Sequence, residues 1–154
     1  MSISGYGHLL TPLTSAGVEV TAEKRNGIFT LTAGSTYYYV WGGASAPTQH
    51  VQLTGYTAGL VITSATIQTC SQPKSAVSDA SATVGEWINE DPTDGDARVD
   101  GTGWTSSAAV AAANGSGLGG ASWHLQQWGV SRTRLAVVVG GTGGDVAVAW
   151  SSKE

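Results

Sequence analysis

The sequence predicts an all-β protein: a single-domain antiparallel β-sandwich, jelly-roll-like in its winding. Three observations predict it. Short runs rich in Val, Ile, Thr and aromatic residues recur between Gly, Asn and Ser turn signals. No long segment carries an apolar period of 3.6 residues. And Asn26-Gly27 is the dipeptide a two-residue hairpin requires, since both central residues of a type I′ turn need positive φ.

The hairpin comes first in chain order. A two-residue loop pairs Arg25 with Ile28, Lys24 with Phe29, Ala22 with Leu31 and Val20 with Ala33. One face then carries Val20, Ala22, Phe29, Leu31, Ala33 and the stem of Lys24; the other carries Thr21, Glu23, Thr30 and Thr32. That sorting is what a half-buried antiparallel pair needs. Residues 1–17 precede it as an extended amino-terminal arm, with 18–154 forming the sandwich. "STYYYVW", Ser35 to Trp41, reads as a strand, "GGASAP" as a loop, and "GLVITSATIQTC", Gly59 to Cys70, as a long strand. Shorter strands are expected at Thr83–Ile88, Ala97–Asp100, Ser107–Ala112 and Ala121–Gln126.

The stretch "RTRLAVVVGGTGGDVAVAW" closes the chain with a glycine cluster between two apolar runs. A five-residue loop mixes polar and apolar faces. A four-residue loop, Gly140 to Gly143, pairs Val137 with Val146 and Leu135 with Val148. Leu135, Val137, Val139, Val146, Val148 and Trp150 then form one apolar wall, opposite Arg132, Arg134, Ala136, Asp145, Ala147 and Ala149. The glycines are therefore expected to turn a hairpin.

Composition narrows the function classes. With 154 residues the chain suits one domain. Only 12% of residues are charged, about half of what ordinary soluble proteins carry. No Asp, Glu, Lys or Arg occurs from Asn26 to Pro73 or from Gly101 to Ser131. A surface built of hydroxyl, amide and glycine suits a protein that is covered by neighbours. The seven basic residues are scattered and the formal charge is −4, so no nucleic-acid stripe is present. Cys70 is alone, which excludes an intrachain disulfide and a cysteine zinc site. No signal peptide or membrane span is expected, because no cationic start leads into a long apolar run.

Motifs that could carry chemistry are weak. "GSGLGG", Gly115 to Gly120, matches a dinucleotide fingerprint, but no helix of useful length can follow it. "GGTGGD" lacks the Lys-Ser/Thr of a phosphate loop. Glu90, Asp91, Asp94, Asp96 and Asp100 could supply oxygens to calcium, though they equally suit a solvated turn. His8, His50 and His124 have no metal-ligand spacing, and His124, out of phase with Trp123 and Leu125, is expected to face solvent or an interface. A small hydrolase would need paired carboxylates such as Glu86 and Glu90, and any two could lie at the required separation. Six tryptophans are many for this length. Trp123 and Trp150 fit the apolar phase of their strands, whereas Trp104 and Trp128 sit beside glycine. Those two are the candidates for glycan stacking or an interface, with Asn114, Gln126 and Gln127 as polar neighbours.

Residues 83–150 resemble small bacteriophage virion proteins, the Gly/Ala/Ser/Thr-rich β-sandwiches of capsids, tails and fibres. The likeness lies in texture and in the closing pattern G-x-x-R-x-R-L-x-V-x-V, carried by Gly129, Arg132, Arg134, Leu135, Val137 and Val139. It implies a non-enzymatic capsid decoration or knob protein in the virion, homo-oligomeric, with other virion subunits as partners and no cofactor. A carbohydrate-binding or host-recognition module with a surface glycan as partner is the alternative, and a small hydrolase the third reading.

Overall fold

The computed structural model describes residues 8–42, 48–89, 97–100, 118–125 and 132–153. Two antiparallel sheets face each other across one core, the sandwich expected from the sequence. Along the chain run β1 (His8–Leu9), β2 (Leu13–Thr14), β3 (Glu23–Arg25), β4 (Ile28–Leu31), β5 (Thr36–Gly42) and β6 (Thr48–Tyr56). Then come β7 (Ile62–Cys70), β8 (Ile88–Asn89), β9 (Ala97–Asp100), β10 (Leu118–Leu125), β11 (Arg132–Val139) and β12 (Gly144–Lys153). The larger sheet has seven strands ordered β3-β4-β12-β6-β10-β9, with β1 beside β12; the smaller has five, β2-β5-β11-β7-β8.

Each strand contributes alternate residues to the core, as the pleat dictates. Leu135, Val137 and Val139 of β11 meet Val146 and Val148 of β12 there, with Val51 and Leu53 of β6, Tyr37, Tyr39 and Trp41 of β5 and Trp123 of β10. Trp150 packs against the same core half-buried. Gln49 is the polar intruder: fully buried, it accepts from Trp41 Nε1 at 2.8 Å and from Trp150 Nε1 at 3.1 Å. It satisfies two indole donors that would otherwise be buried unpaired.

Three expectations are corrected. First, β11 and β12 are not a hairpin. β11 pairs with β5 and β7, whereas β12 pairs with β4 and β6. The apolar wall read from the sequence is real, but its halves face each other from opposite sheets. Alternation identifies which side of a strand is buried and is silent on which strand lies next to it. The glycine cluster is thus a crossover between sheets. Cβ atoms at Gly143 and Gly144 would lie 2.2 Å from the Leu31 carbonyl oxygen and 2.6 Å from Thr57 Cβ, so no larger residue fits this crossing.

Second, the Asn26-Gly27 turn forms with φ of 41° and 78°, and Arg25 pairs with Ile28. Beyond that the register slips: Glu23, not Lys24, lies opposite Phe29. Lys24 is the extra residue of a β-bulge, which re-aims it away from the apolar face. Ala22 and Ala33, expected on that face, are exposed, while Val20 does pack on the core. Third, β6, the strand between β12 and β10, had no counterpart among the expected strands. Within Thr83–Ile88 the pairing is an isolated bridge between Val84 and Trp87, with β8 following at Ile88–Asn89. β9 matches its expected span, β7 starts later than expected, and β10 runs as strand through Gly119 and Gly120 where a fingerprint helix would begin. The expected strand Ser107–Ala112 lies outside the described residues.

Candidate functional site

The two sheets have outer faces of opposite character. On the five-stranded sheet, strand pairing lines up Val40, Arg134, Gln68 and Asn89 in one row and Gly42, Arg132 and Cys70 in the next. Arginines at the non-core phase of β11 would reach solvent in a bare sheet. Here residues 71–89 lie across them as a strap. Arg134 is 2% exposed and Arg132 8%.

The strap is held by the arginines themselves. Arg134 donates through Nε to Gln68 Oε1 at 2.7 Å, through Nη1 to the Asp79 carbonyl at 2.7 Å, and through Nη2 to the Ser81 carbonyl at 2.8 Å. Its guanidinium is stacked between two rings, 4.0 Å from the centre of Tyr38 and 4.3 Å from that of Trp87. Arg132 donates to the Asp79 carboxylate at 2.6 Å and to the Gln72 carbonyl at 3.0 Å, and lies 5.1 Å from Trp87. Lys74 reaches the other Asp79 oxygen at 3.1 Å. Trp87 in turn donates to the Ser78 carbonyl.

The electrostatics follow from this burial. Desolvation pushes the Arg134 guanidinium down to about 10, partly opposed by Tyr38, Cys70 and Asp79, so it stays protonated at neutral pH. Burial pushes the Asp79 carboxyl up. Hydrogen bonds from Arg132 and Lys74, with their charges, more than reverse this and hold it below the usual carboxylate range. This is a clasp: apart from Arg132 Nε, which is buried without a partner, its donors are committed to the chain's own carbonyls and carboxylate. Beside it a cleft of about 360 Å³ opens between Arg134, Trp87, Tyr38 and Ile88.

The outer face of the seven-stranded sheet has no strap among the described residues. Ala147, Thr54 and Gly120 form one row across β12, β6 and β10; Ala149, Gln52 and Ser122 form the next. Gln52 is exposed; Thr54, Ala149 and Ser122 are half-buried. A shallow depression of about 300 Å³ lies over Gln52, Gly120 and Ser122 beside His50. At one corner this face meets the bulged hairpin. There Lys24 Nζ bonds Asp145 Oδ2 at 2.9 Å and the Thr30 hydroxyl donates to Asp145 Oδ1 at 2.6 Å. These two hydrogen bonds, first that of Thr30, hold the Asp145 carboxyl below its ordinary range. Tyr56, at the end of β6, and Arg25 complete a groove of about 380 Å³ floored by Ile28.

Trp104 and Trp128, the glycan or interface candidates, lie outside the described residues, as do Asn114, Gln126 and Gln127. So do Glu90, Asp91, Asp94 and Asp96 of the acidic stretch. Glu86 is half-buried and accepts from the Ser81 hydroxyl within the strap. The pairing of β6 with β10 sets His50 opposite His124, while His8 stacks near Trp150 with ring centres 5.3 Å apart. Among the described residues no three His, Cys, Asp or Glu side chains group as metal ligands. Cys70 is buried near Arg132.

The crossover glycines are engaged by backbone. Gly140 N–H donates to the Val61 carbonyl at 2.7 Å, and its carbonyl accepts from Gly34 at 2.9 Å. Sequence reasoning missed the clasp. Its one visible trace was an alternating Arg-x-Arg inside an apolar strand, whose partners lie more than fifty residues away.

No family model, no curated protein and no solved structure matches this chain.

Proposed function

We propose that this protein is a non-enzymatic structural subunit of a bacteriophage particle, a capsid decoration or knob protein that acts by packing against neighbouring subunits, including copies of itself. The observation that carries the reading is the uncharged middle of the outer face of the seven-stranded sheet, between the charged pair Lys24–Asp145 at one corner and Arg98 and Asp100 on the edge strand β9. From Val146 to Ser152, Thr48 to Tyr56 and Leu118 to Leu125, no Asp, Glu, Lys or Arg occurs. Such a surface is desolvated at less cost than a charged one when another protein covers it and pairs its amides and hydroxyls.

The edge of that sheet supports the same choice of surface. β3 carries Glu23, Lys24 and Arg25 in succession, with a bulge. Charge and bulge both discourage strand addition there, leaving the face for association. The texture and closing pattern shared with small virion proteins give the particle context.

Co-sedimentation with particles of its source tests the reading. The chain is expected to saturate them at a fixed stoichiometry and to self-associate in sedimentation velocity. Gln52→Arg, which places a cation in the middle of the face, is expected to abolish both while leaving the melting temperature of the free chain unchanged. Loss of neither would refute the assignment.

A further inference from the structure

We propose that the corner groove between the bulged hairpin and β6 binds an acidic saccharide, a sugar ring that carries a carboxylate. The groove combines the three elements such a ligand needs, each supplied by a different strand. Tyr56, on β6, is 48% exposed although it ends a strand whose alternate residues are fully buried. Its ring gives a flat apolar surface against which the C–H face of a pyranose can lie. Arg25, on β3, is exposed, and among the described residues its guanidinium makes no hydrogen bond or ion pair. A planar fork with uncommitted donors suits bidentate recognition of a carboxylate.

The third element is Asp145 on β12. Lys24 neutralises it, and the Thr30 hydroxyl fixes its plane. Each of its oxygens keeps a second lone pair, which a sugar hydroxyl can use as an acceptor. Two cations against one carboxylate leave the groove positive, in a chain whose formal charge is −4. An anion is therefore drawn to this corner. The volume, about 380 Å³, is at the small end of ligand pockets and matches one or two sugar rings rather than a long chain.

The bulge is the feature that builds the site. In the unbulged register Lys24 would share the side of Phe29, and Asp145 would confront an incoming carboxylate without its partner. With Lys24 turned outward, Asp145 is paired and Arg25 is left to the ligand. A neutral sugar would use Tyr56 and Asp145 but leave Arg25 idle. Inorganic phosphate would use Arg25 but not the ring. A ring bearing an anionic group uses all three, and the planar guanidinium fork fits a carboxylate.

Calorimetric titration of the full chain with sialyllactose, its methyl ester, lactose and inorganic phosphate tests this. Sialyllactose is expected to bind at least about tenfold more tightly than the other three, the loss expected when one charge-assisted hydrogen-bond pair is removed. Its affinity should also fall as salt is raised. A disaccharide containing glucuronic acid should bind likewise, which separates carboxylate recognition from recognition of one particular sugar. Arg25→Gln and Tyr56→Ala, both at exposed positions, should each weaken binding about tenfold or more with unchanged circular dichroism. The proposal is overturned if neither acidic sugar binds, if lactose or phosphate binds as well as sialyllactose, or if both variants bind like the parent. The packing function rests on the middle of the sheet and survives any of those results.

Discussion

The two outer faces are built on the same pleat and solve opposite problems. On the five-stranded sheet two of the non-core positions of β11 are arginines, and residues 71–89 cover them. On the seven-stranded sheet the equivalent positions of β12 are the small, uncharged Ala147, which is buried, and Ala149, which is half-buried. A buried guanidinium is tolerable only when hydrogen-bonded and stacked, so the first face demands a dedicated strap. The uncharged middle of the other face makes no such demand. Substitution on the first face should therefore cost stability, and on the second, association.

The largest expected effect is Arg134→Ala. It removes three hydrogen bonds and takes the Arg134 donors away from the Asp79 and Ser81 carbonyls and from Gln68 Oε1 beneath the strap. A loss of about 3–5 kcal/mol in urea denaturation is expected, the usual cost of breaking a buried charged network. Arg134→Lys should restore only a minor part, because an ammonium can neither serve that fork nor stack flat between Tyr38 and Trp87. A loss within about 0.5 kcal/mol would mean the strap is held by apolar packing alone.

Next in size is the response to acid. The Asp79 carboxyl lies lower in the folded chain than in the unfolded one, where it titrates near pH 3.9. Its contribution is thus fully present above about pH 4 and is lost as pH falls through the lower folded value. Hydrogen exchange of residues 71–89 should accelerate in that acidic window, ahead of β6 and β11. Asp79→Asn should abolish this step in the strap, being already weakened at neutral pH. If strap and sheets opened together in both proteins, the clasp would not be a separate unit.

The smallest effect is expected on the open face. Gln52→Ala should leave the free chain within about 0.5 kcal/mol of the parent, as an exposed side chain outside any network does. A loss above about 1 kcal/mol would show that this face is already committed within the monomer, and the contrast between the faces would fail.

Much of the fold was legible from local chemistry. Asn26-Gly27 announced its turn, since few other dipeptides tolerate two successive positive φ values. The alternation in Arg132–Val139 and in Val146–Trp150 identified the buried side of each strand correctly. β6 could have been found the same way: Gln49, Val51, Leu53 and Gly55 are buried and alternate with more exposed neighbours. Its glutamines and glycine diluted the apolar signal, because Gln49 is inside for its hydrogen bonds to two indoles rather than for hydrophobicity. Of the candidate sites, Trp104 and Trp128 stand apart from what the structure describes, and the groove at Tyr56 and Arg25 had no motif to betray it.

What the amino-acid order determined alone is therefore the strand class, the side of most strands that goes inward, the first hairpin turn, and a surface poor in charge. These depend on φ preference and on transfer from water, which act residue by residue. Only the tertiary structure decided that β11 and β12 lie in opposite sheets, that Lys24 bulges out to Asp145, and that Asp79 and Trp87 close over two arginines. Those outcomes turn on which surfaces meet across long sequence separations, and a pleat with a period of two residues is compatible with many neighbours until the whole core is packed.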